Sequence, residues 1–190
     1  MFFENQTLPS PGILKDVQIL VVDNDADSRY LHKICLETYG AQVTTLESIA
    51  DAMAHLEYLV PDILICEIRF VNEDVSPLIQ RIKTLAKSRD RRIPTLVISA
   101  SCEASFASNL LATVEDYLLK PIDIDHLVDE VWNLVHLAKT TKKVNIQDWV
   151  MKHRGLTKHY ATAAASFFSS GDERGQFSQD AFGYTQMPWD

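Results

Sequence analysis

The sequence predicts an α/β protein, a doubly wound five-stranded parallel sheet with helices on both faces, and three observations predict it. Five short apolar runs are separated by stretches whose apolar residues recur at helical spacing. The runs are apolar almost throughout, as expected of strands covered on both faces, and such strands pair in parallel. Polar residues gather immediately after the runs, at the strand ends where folds of this class bind their ligands.

The elements follow in order. "VQILVV" (Val17 to Val22) is the first strand, and it stops at the acidic turn "DNDAD". From Ser28 to Tyr39 the residues Tyr30, Leu31, Ile34, Cys35 and Leu36 fall at helical spacing. "AQVTTL" is a second strand, Ser48 can cap a helix over "IADAMAHLEYLV", and "DILIC", bounded by Pro61, is a third strand. A helix over Ser76 to Ala86, the strand "TLVISA", a short helix near Ala104 to Leu111, the strand "DYLLK" and a helix from Asp123 to about Ala138 complete the alternation.

Composition narrows the function. The net charge is -8, and Ile13 to Ala138 carries about nine more acids than bases. An acidic globule is a poor general ligand for nucleic acid, because phosphate contacts need Lys and Arg to release counterions. Protein partners are expected instead. The three cysteines, Cys35, Cys66 and Cys102, are widely spaced in or near apolar segments, which suits packed thiols in a reducing compartment. No apolar run approaches a membrane span and "MFFENQTLPSPG" does not resemble a secretory leader, so a cytoplasmic location and no membrane are expected.

The strand ends collect Asp23, Asn24 and Asp25 after the first strand, Glu67 after the third, Ser99 and Ala100 after the fourth, and Lys120 with Pro121 after the fifth. Oxygen donors on Asp23, Asn24 and Glu67 suit a hard divalent ion such as Mg2+. A lysine and a hydroxyl opposite them suit phosphoryl oxygens. "DNDAD" also begins like a calcium loop, but Ser28 stands where the sharp turn needs Gly and Ile34 where a bidentate Glu should be. An acidic first loop without glycines argues against a bound nucleotide or flavin. The six histidines miss zinc-ligand spacings and no nucleophile and base pair suggests hydrolysis, so no enzyme activity is expected.

From Val17 to Ala138 the chain resembles the receiver domain of two-component response regulators, a flavodoxin-like, chemotaxis-regulator-like fold. The resemblance places Asp23 and Asn24 at the acidic pair, Glu67 at the phosphoacceptor position, Ser99 and Lys120 at the phosphoryl contacts and Tyr117 at the switching aromatic. It implies Mg2+ at Asp23, Asn24 and Glu67, and partners such as a histidine kinase or a downstream signalling protein. A homodimer is open, and the output face is implied to lie on the fourth and fifth expected helices and the strand carrying Tyr117.

Two departures fall in one pocket: Glu67 replaces the family's aspartate and Asn24 replaces an acid. The extra methylene moves the carboxylate outward by roughly 1.3 Å. A misplacement of about 1 Å can cost on the order of 10²-fold in an in-line transfer. The expectation is an atypical, phosphorylation-independent receiver with Mg2+ binding weakened or absent. Alternatives are a working Mg-dependent acceptor at Glu67, a simple ion pair between Glu67 and Lys120, and an adaptor whose C-terminal tail binds the partner. In the loop after Glu67, Val71 and Val75 stand where the family commonly has Pro and Gly, so a stiffer loop is expected.

The expected organisation is a flexible lead over 1–14, the receiver over 15–138, and a joint and tail over 139–190. Lys139 to His159 holds six bases against one acid, Asp148. A helix from Ile146 would set Trp149, Val150 and His153 on one side. The remainder, too short for a usual output domain, has a composition that need not pack, and the chain is expected to stand alone.

Overall fold

The computed structural model describes residues 10–100, 113–140 and 146. All of them fall in the compact unit Met1–Gly155. Five strands, β1 (Gln18–Val22), β2 (Gln42–Leu46), β3 (Ile63–Cys66), β4 (Thr95–Ser99) and β5 (Asp116–Leu119), form one parallel sheet in the order β2-β1-β3-β4-β5. The described helices are α1 (Ala26–Thr38), α2 (Ile49–His55), α3 (Ser76–Ser88) and α4 (Ile124–Thr140). The helix expected near Ala104 to Leu111 lies outside the described residues.

Side-chain alternation divides the core between the two faces of the sheet. Ile19 and Val21 of β1, Ile63 and Ile65 of β3, and Leu96 and Ile98 of β4 pack with Leu36 of α1 and Leu127, Val131 and Leu134 of α4. Leu20, Val22, Leu64, Cys66 and Val97 face the other way, onto Ala52 of α2 and Leu78 and Ile82 of α3. Both faces are covered, which is why the strands read as unbroken apolar runs. Leu14 has no exposed surface and its N–H donates to the Tyr39 carbonyl at 3.0 Å, so the core includes a residue that the expected bounds assign to the lead.

The helix ends differ from expectation for local reasons. Asp25 accepts the Ser28 N–H, so α1 begins at Ala26, two residues early. Ser48 caps α2 as expected, accepting the Asp51 N–H at 3.0 Å. The helix ends at His55 instead of running to Val60, in keeping with Pro61, which disfavours helical backbone at the residue before it. Gly40 takes a positive φ of 97° to leave α1, with the Gly12–Lys15 turn against it. Cys35 and Cys66 are buried free thiols. No helix among the described residues is long and apolar enough to cross a membrane.

Candidate functional site

The strand ladder delivers the candidate residues to one end of the sheet. The Asp23 N–H donates to the Leu46 carbonyl, that of Glu67 to Val22 and that of Lys120 to Ser99, so each residue continues the pairing of its strand. Asp23 is 2% exposed. Its Oδ1 accepts the Asp25 N–H at 2.8 Å and its Oδ2 accepts from Lys120 Nζ at 2.7 Å. Asn24 is exposed.

Glu67 does not reach out to solvent as the end of an exposed strand would. It is 6% exposed, with Oε1 accepting the N–H groups of Ile68 at 2.7 Å and Arg69 at 3.2 Å. The longer side chain lets the carboxylate curl back on its own loop. Its Oε2 faces Lys120 Nζ at 3.4 Å.

Lys120 therefore bridges two buried carboxylates, and the shorter contact goes to Asp23. Burial works against its charge, yet the hydrogen bond and charge of Asp23 and the charge of Glu67 outweigh burial and hold its pKa above the ordinary lysine value. Ser99 is fully buried, and its Oγ finds no hydrogen-bond partner among the described residues. Tyr117 is half-buried on β5, opposite Val97, against the α2 and α3 side of the core. The fold thus brings Asp23, Glu67, Ser99 and Lys120 to neighbouring strand ends. Among the described residues no group of three or more His, Cys, Asp or Glu side chains is placed to hold a metal ion.

Three residues of the site were not anticipated from the sequence. Ser28 Oγ accepts a second hydrogen bond from Lys120 Nζ, at 3.1 Å. Arg29 donates to the Asp23 carbonyl at 2.7 Å and pairs with Glu47 at 3.5 Å, clamping the first loop. His32, one turn beyond Ser28, is 5% exposed with Nδ1 unpartnered among the described residues. Burial holds its pKa below the usual histidine value, with the charge of Asp23 opposing. The sequence does carry a signal: a serine and a histidine at i and i+4, where an apolar inner stripe of the first helix would be expected.

Comparison with known proteins places this geometry. The chain is 33% identical over 111 residues to an uncharacterised 14.6 kDa protein of Leptolyngbya boryana, which covers 58% of this chain and 83% of that one. It is 31% identical over 126 residues to the transcriptional regulatory protein ZraR of Salmonella typhimurium, and 30% identical over 131 residues to the DNA-binding transcriptional regulator NtrC of Escherichia coli. These matches cover 65% and 68% of this chain but 28% and 27% of those regulators, so the chain spans about a quarter of their length. A two-component response regulator from Clostridium difficile shares the fold, with a TM-score of 0.57 at 22% identity over 64% of this chain and 97% of that one. The receiver domain of a Francisella response regulator shares it too, with a TM-score of 0.54 at 24% identity over 65% and 100%. Residues 19–132 match the family profile of the response regulator receiver domain, and the chain belongs to that family.

Proposed function

We propose that this receiver works in two-component signalling without depending on phosphorylation, acting in the cytoplasm through protein contacts. Receiver domains are signalling modules that meet histidine kinases and effector proteins, and they ordinarily bind Mg2+. The observation that carries the atypical reading is the engagement of Glu67: one carboxylate oxygen accepts two backbone N–H groups and the other faces Lys120. A nucleophile so held is poorly placed to leave its loop and attack phosphorus in line.

The same side chain supplies a standing negative charge beside Lys120, the residue that the family resemblance makes a phosphoryl contact. The substitution is partial. A phosphoryl group brings about -1.5 to -2 charge and three acceptor oxygens, and here Ser99 Oγ receives no bond from the described residues while Lys120 stays nearer Asp23. The acids also fit a divalent cation poorly, which supports weakened or absent Mg2+ binding. Both Asp23 oxygens and one Glu67 oxygen are already engaged, and the Lys120 ammonium holds the position between them.

The deciding experiment is the intact mass of the full chain after incubation with an acyl phosphate and Mg2+, beside Glu67→Asp. Labelling of the aspartate variant alone is expected. Comparable labelling of the natural protein at Glu67 would replace this reading with that of a working acceptor.

A further inference from the structure

At the opposite end of the sheet, beside the start of β4 and of β5, lies a cavity of about 460 Å³. Its apolar lining is Ala86 of α3 with Ile93 and Pro94 leading into β4, and its basic lining is Lys83, Arg91 and Arg92. Glu115, the acid among the lining residues, points its carboxylate back to the Thr95 N–H at 2.7 Å. The bases of the joint are therefore a poor electrostatic match for this place, but its stretch 147–153 balances Asp148 against Lys152.

Ile146 also lines the cavity, and it connects the cavity to the core. It is 5% exposed, helical, and belongs to the apolar cluster that includes α4. The end of α4 is fastened nearby, since Lys139 pairs with Asp62, which also binds Arg91. Ile146 thus sits at the base of the sheet, near the fastened end of α4.

A helix continuing from Ile146 would advance about 1.5 Å per residue, so positions 149 and 150 would fall roughly 4.5 to 6 Å farther along its axis. Helical spacing would put Trp149, Val150 and His153 on the side of the buried Ile146 and turn Asp148 and Lys152 away. We propose that the occupant of this cavity is the chain's own segment 147–153, continuing from Ile146 with Trp149 and Val150 over Ala86, Ile93 and Pro94. A tryptophan can bury roughly 150–250 Å², and its ring face attracts cations such as those on Lys83, Arg91 and Arg92. The inference rests on the base of the sheet and is independent of how Glu67 is read.

The test uses the full chain carrying Trp132→Phe and Trp189→Phe, so that Trp149 alone fluoresces. The acrylamide quenching constant is expected to be several-fold lower in the native protein than in denaturant. Ala86→Arg, which fills the apolar floor, should return it toward the denatured value, and Lys83→Glu, at an exposed rim position, should move it part of the way. Native quenching equal to the denatured value overturns the proposal. Protection that survives both substitutions overturns it as well, because Trp149 would then be covered elsewhere. Protection lost on dilution to low micromolar protein assigns the cavity to a second copy and also overturns the intramolecular reading.

Discussion

Replacing Lys120 with methionine should destabilise the domain by about 2–3 kcal/mol, and the figure follows from the two buried carboxylates it would strand. At an effective dielectric constant near 20, the gross attractions of Lys120 to Asp23 and Glu67 are roughly 6 and 5 kcal/mol, from contacts of 2.7 and 3.4 Å. Desolvation offsets most of that gain, and removing one partner of a buried pair typically costs about 3–5 kcal/mol. The Lys120 side chain keeps 21% of its surface in water, which lets solvent relax the stranded acids and lowers the expectation. Urea unfolding at pH 7 measures the loss, provided the denaturant slope is unchanged. The raised lysine pKa fixes the alkaline behaviour. The ion pair's contribution is fully present below the unfolded lysine pKa of about 10.4 and disappears as pH rises through the higher folded value. Lys120→Met should therefore lack this alkaline component. A loss below about 0.5 kcal/mol, within the range of exposed pairs, would refute the claim that the pocket is held together by a buried charge bridge.

Ser99→Ala removes a buried hydroxyl without a partner among the described residues, so it should be neutral or stabilising by up to about 1 kcal/mol; a destabilisation above that in the same unfolding assay would mean the hydroxyl is satisfied in solution. His32 has a depressed folded pKa, so the natural chain should lose stability as pH falls below about 6.5 toward that lower value. His32→Leu should flatten this part of the stability curve, as measured by denaturation at pH 7.5 and 5.5. Gly40→Ala places a side chain at positive φ with its Cβ 3.3 Å from the Gly12 Cα, and should cost about 1–3 kcal/mol, read as a shift of the urea midpoint.

The fold was legible because its signals are local. Two-face burial wrote β1, β3 and β4 as apolar runs, Ser48 marked the start of α2, and Asp23, Glu67, Ser99 and Lys120 stood immediately beyond their strands. The pairing inside the pocket was less legible. The Lys120 contact with Asp23 spans 97 residues and its contact with Ser28 spans 92, so both depend on how the strand ends curve together. Glu67 was expected to extend toward a phosphoryl site, whereas two neighbouring N–H groups turn it inward. His32 is hidden from a sequence reading as a core residue, because polarity at a buried helix position conflicts with the pattern that identifies the helix.

The strand order gives Lys120 a mechanical consequence. β5 lies three places from β1 in the sheet, and its ladder partner among the described strands is β4. Three strand spacings amount to about 14 Å, so the lysine ties an edge strand to one with which it shares no ladder. Edge strands open most readily, and this tie makes the opening of β5 separate charges at the sheet's centre. Fraying of the edge and loss of the pocket thereby become a single event, and amide exchange along β5 reports the charge state of residues three strands away.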